Sequence, residues 1–147
     1  MTMNHRALIL SCTKTKKPIR GHAIDVYDGP TFRVLRNYIS VRDDIDIYII
    51  SAKYGVIPSD HIIEPYDKVL DTMTAIKMKD EFGTLIKDIF DNHDEVAICA
   101  GKTYRLVVDG YQYISIEGSI GEMISGLKRW LYSKQSDKSE SITDWVK

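Results

Sequence analysis

Four short apolar runs, with helical stripes between and after them, constrain this chain more than any other feature. They are Ala7 to Ser11, Ile45 to Ser51, Val96 to Ala100 and Tyr111 to Ile116, and each carries β-branched residues, most densely Ile45 to Ser51. Runs of that length and composition suit strand interiors. Between them the period changes. Pro30 stands where a helix start tolerates a missing N–H, and Phe32, Leu35, Tyr38 and Ile39 follow at helical spacing. Thr72 or Asp71 can cap a longer helix carrying Phe82, Leu85, Ile86 and Ile89. Lys102 to Val108 suits a short helix, and Ser119 with Glu122 forms a capping box ahead of an apolar face through Leu131. Strand–helix alternation of this kind predicts a three-layer α/β fold, with a mostly parallel four-stranded sheet and helices on both faces. Right-handed crossovers then gather the loops that follow the strands on one edge.

A chain of 147 residues suits one domain and can bury a sizeable core without a staple. We expect that domain to occupy 1–133, with 134–147 as a polar, aperiodic and mobile tail. Basic residues number 20 and acidic 21, so any nucleic-acid site must be local rather than a property of the whole surface. Two cysteines with no C-x-x-C pair, and four dispersed histidines, suggest neither a disulfide framework nor a zinc site, so no metal or other cofactor is expected. Both cysteines close apolar runs, as small buried hydrophobes do. No apolar run reaches the roughly 18 residues of a membrane span, and the chain opens almost directly into a strand, so the expectation is a cytoplasmic protein without a membrane partner.

Open parallel sheets bind ligands outside the carboxyl ends of their strands. Three loops are therefore pooled: Ser11-Cys12-Thr13-Lys14-Thr15-Lys16-Lys17, Ser51-Ala52-Lys53-Tyr54-Gly55 and Gly101-Lys102-Thr103-Tyr104-Arg105. Lysines converging with backbone N–H groups suit a phosphate or a similar anion. Neither a Walker A spacing nor G-x-G-x-x-G occurs, so neither NTP hydrolysis nor dinucleotide binding is supported. The segments from Lys14 to Gly29 and from Ala52 to Asp71 read as long loops, and long loops are often functional. The second carries Glu64 and Asp67, carboxylates suited to activating water or stabilising positive charge, and Tyr54 and Tyr66, which can stack on a base. The plainer reading of the same residues is that Glu64 caps a loop or pairs with Lys53, and that the tyrosines pack.

Several motifs resemble the YaaA-like superfamily, which includes peroxide-stress proteins and related domains of unknown function. They are Leu10-Ser11-Cys12-Thr13-Lys14 with Lys17, Tyr27-Asp28-Gly29-Pro30-Thr31-Phe32-Arg33, Ile50-Ser51-Ala52-Lys53-Tyr54-Gly55 and Ile63-Glu64-Pro65-Tyr66-Asp67. Ala100-Gly101-Lys102-Thr103-Tyr104 and Glu117 to Met123 are similar as well, so the likeness runs from about Leu8 to Leu131. The resemblance implies a uracil-DNA-glycosylase-like fold and chemistry near nucleobases. The positions matched are Ser11, Cys12, Lys14, Tyr27, Gly29, Phe32, Arg33, Ser51, Lys53, Tyr54, Gly55, Glu64, Pro65, Tyr66, Asp67, Gly101 and Tyr104, most of them in the pooled loops. Together the resemblance and those loops give expected substrate-binding positions at Ser11, Cys12, Lys14, Tyr27, Phe32, Arg33, Ser51, Lys53, Tyr54, Gly55, Tyr66, Gly101, Lys102 and Tyr104, while the residue reading alone makes Glu64 and Asp67 the expected catalytic carboxylates. Two departures matter. The chain is too short for the extra DNA-binding elements of larger relatives. Glu64-Pro65-Tyr66 is similar to the water-activating Asp-Pro-Tyr of uracil-DNA glycosylases, yet it follows the second strand rather than the first.

Three functions follow as expectations. The leading one is an N-glycosidase-like hydrolase acting on a nucleotide or on a modified base in nucleic acid. The alternatives are a non-catalytic nucleotide or nucleic-acid binder, and a protein-interaction module with a vestigial cleft.

Overall fold

The computed structural model describes residues 5–133. The expected tail at 134–147 lies outside the described residues. Strands β1 (Arg6–Ser11), β3 (Ile45–Ser51), β4 (Gly55–Pro58), β6 (Glu95–Cys99) and β7 (Ile114–Ile116) form one sheet in the order β4-β3-β1-β6-β7. The pairs β1–β3, β1–β6 and β6–β7 are parallel, and β3–β4 is antiparallel. The sheet therefore has five strands, not four. The addition arises because the chain turns back at Ala52-Lys53-Tyr54 and Gly55 pairs with Ser51 across the turn.

Two further corrections concern the segments read as loops. Gly21–His22 (β2) pairs with Ile62–Ile63 (β5) in a small antiparallel ladder, and Ala23–Val26 forms a helical turn, α1. Each long segment thus contains regular structure that no periodic run announces. The fourth expected strand pairs only over Ile114–Ile116, because Tyr111 and Tyr113 pack back on the core beside the preceding helical turns.

The central strand β1 is buried on both faces, which explains its unbroken apolar run. Its side chains alternate between two cores. Leu8 and Leu10 join Leu35 and Tyr38 of α2 (Pro30–Ile39) and Leu127, Trp130 and Leu131 of α6 (Ile120–Ser133). Ala7 and Ile9 join Ala75 and Met78 of α3 (Thr72–Glu81), Ile86 and Ile89 of α4 (Gly83–Asp91), and Val107 and Val108. Val107 and Val108 lie in the 3-10 turn after α5 (Lys102–Arg105). Helices thus cover both faces of the sheet, as expected.

Asp71 caps α3 by accepting the Thr74 N–H at 2.7 Å, and the expected box at α6 forms, with Ser119 N–H donating to Glu122 at 2.8 Å. The single long helix expected after Asp71 is instead two, broken at Phe82 where φ is −101° and ψ 17°. One charge lies deep in the packing. Arg6 is 1% exposed, donates to the Trp130 and Leu131 carbonyls at 2.7 and 3.1 Å, and stacks over the Trp130 ring at 4.4 Å. It ties the last turn of α6 to β1, where a cation also suits the negative end of the helix. Among the described residues, no helix is long and apolar enough to cross a membrane.

Candidate functional site

Parallel register brings the ends of β1, β3 and β6 to one edge: Ser11 lies beside Ile50, and Leu10 beside Cys99. Ser51 and Ala100 therefore flank Ser11, as the strand–helix alternation requires. At this edge Ser51 is fully buried and its hydroxyl is a hub. It receives the Tyr27 hydroxyl at 3.0 Å and the Lys53 and Tyr54 N–H groups at 3.2 and 3.0 Å. Its own proton is then directed at the Tyr66 hydroxyl, 2.8 Å away. Tyr66 is also 2.8 Å from the Tyr27 oxygen, so three hydroxyls close a ring.

Burial is the main reason these phenols hold their protons. It pushes Tyr27 up to about 12 and raises Tyr66 and Tyr104 as well. The Cys12 thiol bonds Tyr104 at 3.3 Å and lies against Tyr66, which raises both phenols further. Cys12 and Tyr66 each touch the cores of both sheet faces, so they sit across the end of the sheet and not on one side of it.

Cations surround this hydroxyl cluster. Lys16 places its ammonium 4.4 Å from the centre of the Tyr66 ring, and Lys53 lies 5.9 Å from the same ring and 5.2 Å from that of Tyr54. An ammonium over an aromatic face is held by the ring quadrupole. Partial burial lowers the affinity of Lys16 for its proton, while Cys12 and Asp67 nearby pull it back up. Lys16 is held inward by a bridge that pairs it with Tyr27 in antiparallel fashion. It lies within a loop pooled from the sequence but is not among the positions singled out there. No sequence signal distinguishes it from Lys14 and Lys17, because the bridge that turns it inward depends on tertiary structure.

The other expected site residues divide. Tyr54 packs edge-on to Tyr66 at 5.8 Å, and its hydroxyl accepts the Glu64 N–H at 3.0 Å. Gly101 and Lys102 are exposed at the start of α5 on the same edge. Lys14 is exposed, with its carbonyl accepting from Lys16 at 3.3 Å.

Three positions make other contacts. Phe32 is fully buried in the core against Tyr27. Arg33 lies on the outer surface of α2 and pairs with Asp28 at 3.5 Å. Gly55 has φ +83°, and a Cβ there would lie 2.1 Å from the Phe82 ring. The carboxylates also separate. Glu64 is exposed and its ion pair, at 3.5 Å, is with Arg20 and not with Lys53. Asp67 acts electrostatically on Lys16.

Away from this edge, a group that the dispersed spacing of the histidines did not suggest gathers His5, Asp46 and His93.

A family model described as "Family of unknown function (DUF6884)" matches residues 7–129, and the chain belongs to that family. No curated protein and no solved structure matches the chain.

Proposed function

We propose that this member of a family without a known function binds a phosphate-bearing nucleoside unit, free or in nucleic acid, at the carboxyl edge of its sheet and hydrolyses the N-glycosidic bond. The observation that carries the reading is the pair of ammonium groups on Tyr66, Lys16 at 4.4 Å and Lys53 at 5.9 Å, with Asp67 beside Lys16. Two cations hold a phosphate, an aromatic face accepts a base, and a carboxylate stabilises positive charge on the sugar. The resemblance to the YaaA-like superfamily points the same way, and with it we propose a uracil-DNA-glycosylase-like plan for the sheet and a cytoplasmic setting.

In the proposed step, water oxygen bonds to the sugar C1′ as the C1′–N bond breaks. The electron pair of that bond leaves with the base. Asp67 takes the water proton, and the base nitrogen gains a proton from solvent. Of the two expected carboxylates, Asp67 suits this role better, since Glu64 is engaged by Arg20.

That same engagement favours a second reading, in which the edge binds a nucleotide without cleaving it. Calorimetric titration with a panel of 5′-mononucleotides and short oligonucleotides, with mass spectrometry of released bases, separates the two. Lys16→Ala should weaken binding by about ten- to a hundredfold, the effect of losing a charged hydrogen bond. Asp67→Asn should spare binding and lower base release by about a hundredfold or more. Binding without release supports the second reading. Absence of binding to every probe, or binding indifferent to Lys16→Ala, overturns both.

A further inference from the structure

At the opposite edge of the sheet, the residues that enter the parallel strands bring together three side chains far apart in sequence. His5 precedes β1, Asp46 is the second residue of β3, and His93 lies two residues before β6. One oxygen of Asp46 stands 3.0 Å from His5 Nε2 and 2.8 Å from His93 Nε2, and the two rings are 4.6 Å apart. The supporting contacts are specific. The other ring nitrogen of His93, Nδ1, is 2.6 Å from the Ile89 carbonyl. A carbonyl only accepts, so Nδ1 carries a hydrogen, and in the neutral ring Nε2 presents a lone pair.

That lone pair faces a carboxylate oxygen that is itself only an acceptor. The arrangement needs positive charge between the two atoms. A proton on His93 Nε2, with the neutral Nε2–H tautomer of His5 donating to the same oxygen, would supply it as an ion pair. A single metal ion supplies it by drawing all three ligand atoms onto one centre.

We propose that His5, Asp46 and His93 bind one divalent transition-metal ion of the zinc class. Two imidazole nitrogens and one carboxylate oxygen suit Zn(II), Co(II), Ni(II) or Cu(II) better than Ca(II) or Mg(II), which prefer oxygen ligands. Zinc–ligand distances of about 2.0–2.2 Å place tetrahedral ligand atoms about 3.4 Å apart. The present separations of 2.8 and 3.0 Å would open by about half an ångström to reach that spacing, and all three ligand atoms already lie within 4.8 Å of one another.

The side chains of His5 and Asp46 are 54% and 47% exposed and free to make that adjustment, while His93, at 3%, is the fixed member. The Ile89 carbonyl orients His93 in the way that outer hydrogen bonds orient ligating histidines. The Tyr48 ring stands edge-on to it at 6.4 Å. His5 is positioned through its backbone, because its N–H donates to the Asp94 carboxylate at 2.8 Å and its carbonyl accepts the Asp94 N–H at 2.8 Å. Water would complete the coordination shell. The ion would cross-link the entries to three neighbouring strands at the edge remote from Ser51.

The test is calorimetric titration of the full chain, untagged and stripped with chelator, with zinc chloride. We expect one saturable site per chain with micromolar or tighter affinity. His5→Ala and Asp46→Asn, both at half-exposed positions, should each weaken it at least tenfold and remain folded by circular dichroism. His22→Ala, an exposed histidine outside the group, should leave it unchanged. Cobalt(II) should give visible absorption bands in the wild type that both variants lose. No saturable binding to the wild type, wild-type affinity in His5→Ala, or an equal loss in His22→Ala overturns the site.

Discussion

Replacing Gly55 by alanine tests how the turn after β3 is built. Two costs follow from the structure. Gly55 has φ +83°, a left-handed conformation that costs an L-residue about 1–2 kcal/mol. The new Cβ would also lie 2.1 Å from Phe82 Cζ, and such overpacking costs typically about 1–3 kcal/mol. Gly55→Ala should therefore destabilise by roughly 2–5 kcal/mol, a large share of the ~5–15 kcal/mol that holds a domain together. The ring of Phe82 can swing, so the second cost is the softer one. A double-mutant cycle with Phe82→Ala isolates it, because truncating the ring removes the clash and leaves the backbone strain. Urea unfolding followed by circular dichroism gives the four stabilities. We expect the double variant to be more stable than the sum of the single losses predicts, by about 1–3 kcal/mol, the size expected between contacting residues. A loss below about 0.5 kcal/mol in Gly55→Ala, as at an ordinary surface position, would refute the account of this turn.

Arg6→Ala should cost about 3–5 kcal/mol in urea unfolding, because it breaks a buried charged network and removes the guanidinium that donates to the Trp130 and Leu131 carbonyls; a loss under about 1 kcal/mol would show the network to be idle. Alkaline titration followed by phenolate absorbance should show Tyr27 ionising near 12 rather than 10. Since the folded state keeps that proton longer than the unfolded chain, the associated stability is complete below pH 10 and lost as pH rises towards 12, and a midpoint near 10 in the folded protein would contradict the burial of Tyr27. At the candidate site, Lys16→Ala should weaken nucleotide binding about tenfold or more, whereas Lys17→Ala, at an exposed position, should change it little. Zinc should raise the thermal midpoint of the wild type and raise that of Asp46→Asn by less at the same concentration, read by differential scanning fluorimetry.

The layers of the fold were legible because they rest on periodicity. The apolar runs of β1, β3 and β6 and the stripes of α2, α4 and α6 appear in the sequence with nearly their observed bounds. β4 and the β2–β5 ladder were not legible, since two- to four-residue strands carry too few alternations to stand out from a loop. The meeting of the three pooled loops at one edge followed from the rule for strand ends, but the contacts of individual residues there did not. Phe32 and Gly55 sit within site-like motifs for reasons of packing and backbone shape, and Glu64 turns to Arg20. Lys16 and the group His5, Asp46 and His93 depend on which strands are neighbours, and sequence spacing does not encode that.

The central claim is that a nucleotide unit occupies the carboxyl edge of the sheet. It is tested most directly by NMR titration of the isotope-labelled chain with 5′-mononucleotides. The account predicts saturable shifts in the amides of Cys12, Lys16, Lys53, Tyr54 and Tyr66, with the amides of Asp46 and Asp94 at the far edge unmoved. Absence of shifts at saturating ligand, or shifts centred away from those five residues, would contradict it.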